Sequence, residues 1–174
     1  MDDAYQFDMD PVAFITVGAV GPPGQRTFYL QAADGAESVS LLIEKEHAAA
    51  LSVSLRRLLS AVDALPKEHD EVRVGKMDLL EPLEVAFRVG QLGIGVDDDR
   101  DMVVLVAEEL VEEEEPEGQR ARFVATFAQM EALARHAMTV VHAGRPVCEL
   151  CGEPMDPQGH FCARRNGHPP PPDD

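Results

Sequence analysis

This sequence has few of the residues that several common functions need. It contains no Trp, and aromatic residues make up only 5% of its 174 residues, so it offers little for stacking nucleic-acid bases. Its 15 Lys and Arg residues stand against 32 Asp and Glu residues, which gives a formal net charge of −17. A protein that binds a phosphate backbone needs clustered positive charge. The composition therefore argues against a nucleic-acid-binding protein.

The sequence also lacks a long apolar run and a basic N-terminus. A membrane helix needs about 20 consecutive apolar residues, and no stretch approaches that length. The acidic start of the chain, residues 1–5, is unlike a signal peptide. Cysteine is scarce, and all three cysteines lie near the C-terminus: Cys148, Cys151 and Cys162. An odd number of clustered cysteines favours metal binding in a reducing compartment over disulfides. We therefore expect a cytoplasmic protein with no membrane contact.

What is present is enough for a folded core. Hydrophobic residues make up 45% of the chain, and a domain of about 150 residues buries about 68–70% of its unfolded surface. Six segments have the composition or alternation of strands. They are residues 14–17, 27–32, 38–44, 85–89, 102–107 and 122–125. The alternation in 38–44 predicts one solvent-exposed face, and the uninterrupted apolar run in 102–107 predicts a strand covered on both faces.

Two segments have the apolar spacing of helices. The first extends from about Lys45 to Ala64, ahead of Pro66. The second begins at Thr126, which with Gln129 fits a capping box. The polar stretch 67–82 between the two halves is predicted as a connection, and residues 72–74 could form a short strand within it. Two glycine-rich stretches, 18–24 and 90–95, lack the phosphate-binding fingerprints. The first is predicted as a hairpin turn, and the second leads into another strand and not into a helix.

The order of three strands and a helix occurs twice, which predicts an internal duplication. Gly18 matches Gly90, an offset of 72 in the numbering, and Leu51 matches Leu133, an offset of 82. The second offset is larger by ten. We assign this difference to an insertion in the second half, the acidic segment Glu108–Gly118.

The predicted fold class is α+β. We expect a mostly antiparallel sheet built from two βββα repeats, about 7–65 and 83–145, with the two main helices on one face. Both repeats belong to a domain that spans residues 1–146. A small zinc-knuckle element over residues 147–168 and a disordered tail over 169–174 complete the chain.

The residues that carry chemistry lie in the C-terminal element. Cys148 and Cys151, followed by a glycine, have the spacing of a zinc knuckle. Cys162 supplies a third ligand, and the fourth is His160 or His168. His160 is favoured, because it lies two residues from Cys162 in a constrained stretch, whereas His168 adjoins the Pro-rich tail.

The ligand types predict the metal and its role. Thiolate and imidazole ligands favour zinc over magnesium or calcium. Four protein ligands leave no open position, so we expect one structural zinc ion. If only three of them bind, a catalytic zinc site becomes available, with Glu149, Glu153 or Asp156 as its base.

Several stretches together resemble a known family. They are Phe7–Pro11, Gly18–Ala32, Leu42–Glu46 and the cysteine-rich stretch Cys148–Cys162. The chain is similar over nearly its whole length to an uncharacterised, mainly actinobacterial family, domain of unknown function 3090. In that family a Pro usually follows the cysteine that matches Cys162, where this chain has Ala163. The resemblance implies that His160 belongs to the motif, and it implies no reaction. Family members are often encoded beside phosphatase-like and lipid-kinase-like proteins.

The sequence therefore predicts a non-enzymatic zinc-binding protein of the cytoplasm that acts as a binding or adaptor module with a protein partner. The alternative is an enzyme or enzyme subunit, with a site in a groove of the duplicated sheet and a role in a phosphorylation-linked pathway. The sequence assigns no catalytic residue and no oligomeric state. Converging ionisable groups in a deep pocket would favour the enzyme.

Overall fold

A computed structural model describes residues 4–62, 75–114, 117–143, 148–152, 155, 160, 162 and 164. The chain divides into two compact units. The first contains residues up to Val20 and the stretch Thr27–Val141. The second contains the loop Gly21–Arg26 together with the segment that begins at His142.

The secondary structure of the described residues consists of seven strands and two helices. The strands are β1 (Phe7–Met9), β2 (Phe14–Val20), β3 (Thr27–Ala33), β4 (Ser38–Ile43), β5 (Val85–Asp97), β6 (Met102–Glu109) and β7 (Arg120–Thr126). The helices are α1 (Lys45–Ala61) and α2 (Phe127–His142). The six predicted strands and both helices are confirmed, whereas β1 was not predicted. The possible strand at 72–74 lies outside the described residues.

The strands form one mixed sheet. Their order is β1-β7-β6-β5-β4-β3-β2. β1 pairs with β7 and β4 pairs with β5 in parallel, while the other neighbours are antiparallel. The prediction of a mostly antiparallel sheet is therefore wrong. The physical reason is that α1 lies between β4 and β5 in the chain, and a helical crossover is the usual connection between parallel strands.

The two ends of the sheet lie close together. β1 and β2 are at opposite ends of the strand order, yet only residues 10–13 connect them. The Val12 N–H donates to the carbonyl of Val124 in β7, and the Ala13 N–H donates to the carbonyl of Ala33 in β3, both at 2.8 Å. The chain thus changes partner strands between adjacent residues, so the sheet must curve strongly.

Both helices turn one apolar stripe toward a single core. α1 buries Ala48, Leu51, Ser52, Leu55 and Leu59, and α2 buries Met130, Leu133, Ala134, Ala137 and Val141. The two sets occupy the same positions at an offset of 82 in the numbering. The Ser52 hydroxyl donates to the Ala134 carbonyl at 2.6 Å, and this pair has the same offset. The helices therefore contact each other directly.

The two helix starts are also alike. The Thr126 and Gln129 side chains accept hydrogen bonds from each other's backbone N–H groups at 3.1 and 2.9 Å, which confirms the predicted capping box. In α1 the Glu44 N–H donates to Nδ1 of His47 at 3.1 Å. Glu44 and His47 precede Thr126 and Gln129 by the same offset that relates the buried stripes. The duplication itself stays a prediction.

A row of buried polar side chains crosses β2, β3 and β4. Thr16, Gln31 and Ser40 are aligned in the sheet register and are fully or almost fully buried. The segment 75–84 covers them: the Thr16 hydroxyl donates to the Met77 carbonyl, and Gln31 hydrogen-bonds both backbone groups of Leu80. The predicted solvent-exposed face of β4 is therefore wrong at its centre.

Strands β5 and β6 differ from prediction in the opposite sense. Alternate residues of β6 are buried and half-buried, so β6 is not fully covered on both faces. β5 does not end at Val89, as its glycines suggested, but continues to Asp97 with a register shift between Val89 and Gln91. Pairing with β6 thus extends the strand through the glycine-rich stretch.

Candidate metal centre

The four predicted ligands belong to the second unit. Cys148, Leu150 and Cys151 are part of a tight turn that is closed by a hydrogen bond from the Gly152 N–H to the Cys148 carbonyl at 2.9 Å. Gly152 has a φ of +75°, a conformation that glycine adopts without strain. The glycine after the two cysteines therefore allows the tight turn that carries them.

The structure brings together one ligand atom from each of Cys148, Cys151, His160 and Cys162. These four atoms all lie within 4.8 Å of one another. The Sγ atoms of Cys148 and Cys162 are 3.9 Å apart, and Sγ of Cys151 is 3.3 Å from Nε2 of His160. The three cysteines are thiols that form no disulfide with one another.

The Cys148–Cys162 and Cys151–His160 distances are close to the edges of a metal coordination tetrahedron. A zinc ion with Zn–S distances of about 2.3 Å and Zn–N distances of about 2.0–2.1 Å requires S···S edges of about 3.8 Å and S···N edges of about 3.6 Å. The four side chains could therefore bind one metal ion with only small adjustments.

The electrostatic environment favours the thiolate that a metal requires. The backbone N–H groups of Cys151 and Leu150 donate hydrogen bonds to Cys148 and lower the pKa of its thiol from 9.0 to about 6. The side chains of Cys151 and Cys162 contribute in the same direction. Because the thiolate is the form that binds metal, the turn prepares Cys148 for this role.

The alternative ligands and bases lie elsewhere or cannot be placed. Glu149 is exposed to solvent. His168, Glu153 and Asp156 lie outside the described residues.

The first unit contains a groove that the sequence did not predict at this place. It has a volume of about 260 Å³ and lies between α1 and β5. Its lining includes His47, Ser54, Gln91 and Leu92. Nδ1 of His47 accepts a hydrogen bond from the Glu44 N–H at 3.1 Å. The groove is lined by β5 residues beyond Gly90, and the glycines of this stretch gave no sign that the strand continues there.

Together, the fold and the site define an α+β protein with a mixed seven-stranded sheet and a C-terminal cysteine–histidine cluster that could bind a metal ion. The sequence profile of a family described as a protein of unknown function (DUF3090) matches residues 5–162. The chain therefore belongs to this family. The searches of curated proteins and of solved structures found no match. In the part of the chain that the structure describes, no helix is long and apolar enough to cross a membrane.

Proposed function

We propose that this chain is a non-enzymatic zinc protein in which Cys148, Cys151, His160 and Cys162 bind one structural zinc ion. The observation that carries the proposal is the convergence of three thiols and one imidazole within 4.8 Å. This ligand set is of the Cys3His type, and its soft sulfur ligands suit zinc better than magnesium or calcium.

A structural role follows from the number of ligands. Four protein ligands complete a tetrahedron and leave no position for water or substrate. The burial of Cys148 and Cys162, at 8% and 2% exposure, also fits a closed site. The zinc would hold the C-terminal segment together, because an unbound set of thiols supplies little folding free energy.

We further propose that the protein acts through binding, as an adaptor with a protein partner in the cytoplasm. Support comes from the groove between α1 and β5. Among the described residues that line it, His47 is the ionisable one, and its Nδ1 already serves the start of α1. An enzymatic groove would need further acidic or basic groups around a substrate, so this site favours binding over catalysis.

The scaffold of this module is, in our proposal, a duplicated βββα unit. The five buried positions of α1 are related to the five buried positions of α2 by one offset in the numbering, and this regularity supports the duplication. The contact of Ser52 with Ala134 adds support, because equivalent residues of two repeats meet at a twofold axis that relates them.

Elemental analysis combined with native mass spectrometry tests the zinc proposal. Protein purified without chelators should contain one zinc per chain. Cys151→Ser should release the metal, and His160→Ala should weaken binding far more than His168→Ala does. His136→Ala is the matched control, since His136 lies on α2 and should leave zinc content unchanged.

Two results would contradict the proposal in different ways. A protein without zinc, in which all three thiols titrate freely, would reject the site. Full zinc retention by His160→Ala together with loss in His168→Ala would assign the fourth ligand to His168. The same native spectra report the oligomeric state, and a complex isolated with a partner protein would support the adaptor role.

A further inference from the structure

The loop between β2 and β3 groups with the C-terminal segment and not with the strands that it joins. β2 and β3 pair along their whole length up to the pair Val20 and Thr27, and the loop Gly21–Arg26 begins where this pairing ends. In the division of the chain into compact units, this loop belongs to the unit that contains the metal cluster. The loop and the cluster are separated by more than a hundred residues in sequence.

The loop is largely exposed to solvent. Residues 21–25 are exposed, and Arg26 is half-buried. The Gln25 N–H donates to the Pro22 carbonyl at 3.0 Å, which closes one turn inside the loop. A single turn of this kind fixes few backbone dihedrals against the conformational entropy of an exposed loop.

The buried side chains that the structure describes in the second unit are the candidate metal ligands. Of the side chains that the structure describes in this unit, only Cys148 and Cys162 are buried. An element whose buried residues are metal ligands gains its folding free energy from the metal. The segment that groups with the loop is therefore itself expected to depend on the metal.

We infer that metal binding at the cysteine–histidine cluster fixes the conformation of the Gly21–Arg26 loop, so that the end of the β2–β3 hairpin responds to the metal state of the C-terminus. This inference rests on the proposed zinc site. Coupling between two sites is reciprocal, so a change that strains the loop must also weaken metal binding.

Amide hydrogen exchange on the full chain, with zinc and after its removal by a chelator under reducing conditions, tests the inference. The reporters are the amides of Gly24, Gln25 and Arg26, since the two prolines have none. We expect these amides to exchange about tenfold faster or more without zinc. The control is the β3–β4 turn of the first unit, where the Ala36 and Glu37 amides donate to the Asp34 carboxylate and should keep their rates.

A pair of glycine substitutions tests the reciprocal effect. Gly21 and Gly35 both have positive φ, +116° and +105°, in hairpin connections. A Cβ at Gly21 would lie 2.7 Å from the Gln25 carbonyl oxygen, whereas a Cβ at Gly35 would meet no atom within 4 Å. Gly21→Ala should weaken zinc affinity by about fivefold or more, the lower end of common coupling strengths. Gly35→Ala should leave it within about twofold of the unmodified chain, because its turn is not in the metal unit.

The two proposals can fail separately. If the purified chain binds zinc but the Gly24–Arg26 amides exchange equally fast with and without it, the coupling is refuted and the zinc site stands. Equal zinc affinity in Gly21→Ala and Gly35→Ala would refute the coupling as well. If the chain binds no zinc, both proposals are rejected.

Discussion

The contact between the two helices allows a sharp test of the proposed duplication. Ser52 in α1 donates its hydroxyl to the carbonyl of Ala134 in α2, and both residues are buried. If a twofold axis passes between them, a serine at position 134 should reach the carbonyl of residue 52 in the same way. We therefore consider the swap of the two side chains, Ser52→Ala combined with Ala134→Ser.

The single substitutions should both reduce the free energy of unfolding. Ser52→Ala removes one buried hydrogen bond of 2.6 Å, a loss of about 1 kcal/mol. The Ala134 carbonyl is not left without a partner, because it also accepts the helical hydrogen bond four residues on. Ala134→Ser adds a hydroxyl at a site with 1% exposure, in the residue whose carbonyl the Ser52 hydroxyl already contacts. This crowding should cost about 1–3 kcal/mol.

The swap should recover most of this loss. With alanine at 52, the new hydroxyl at 134 has room and an acceptor, so the double variant should unfold within about 0.5 kcal/mol of the unmodified chain. Additive losses would instead total about 2–4 kcal/mol. Urea unfolding followed by circular dichroism, at a fixed zinc concentration, measures all four proteins. Additivity of the two losses would refute the twofold relation between the helices.

Two further predictions concern polar contacts of the first unit. Gln31→Leu should lower the free energy of unfolding by about 3 kcal/mol, because it removes three hydrogen bonds worth about 1 kcal/mol each. The exposed control, Gln91→Leu, should change the free energy of unfolding little. Equal urea midpoints for the two variants would contradict this prediction. The hydrogen bonds from Arg100 lower the pKa of Asp10 below its ordinary value of 3.8. The ion pair therefore stabilises the fold at neutral pH, and this stabilisation is lost as the pH falls through the lowered pKa. The free energy of unfolding of Asp10→Asn should therefore be lower than that of the unmodified chain by about 0.5–1 kcal/mol at pH 7, and the two should be equal in acid. A difference in acid would show that the ion pair is not the cause of the lower stability.

The sequence predicts the parts of this fold that local signals determine. Apolar spacing places both helices within a few residues, and the Thr126–Gln129 capping box marks the start of α2. Cysteine spacing predicts the cluster because ligand chemistry restricts which residues can surround one ion. The same four residues converge in the structure.

Features that depend on distant partners were not predictable in this way. β1 has only three residues, and its partner β7 lies over a hundred residues away. The buried row at Thr16, Gln31 and Ser40 has the pattern of an exposed face, because strand alternation does not reveal that the segment 75–84 covers it. Parallel pairing of β4 with β5 is likewise a result of the chain path and not of residue pattern.

If the two halves are repeats, as we propose, the strand register revises their sequence alignment. Leu30 pairs with Leu41, and Leu105 pairs with Phe123. Leu41 and Phe123 precede their helices by the common offset of 82, so the central strands align Leu30 with Leu105. The path from Leu105 to Phe123 is longer than the path from Leu30 to Leu41 by seven residues. The extra length between β6 and β7 is therefore seven and not the ten that the glycine match required.

The same reasoning places the first strands of each half. Val17 pairs with Leu30, and Ile94 pairs with Leu105. In the proposed duplication, Val17 therefore corresponds to Ile94, and the glycines that follow them correspond to each other. Gly90 instead lies at the register shift of β5, where the strand leaves its pairing with β4 and continues beside β6 alone. In the first half, the chain makes the equivalent change of partner between β1 and β2, across residues 10–13. One half thus breaks the strand and the other bends it, and the groove beside α1 lies where β5 continues past Gly90.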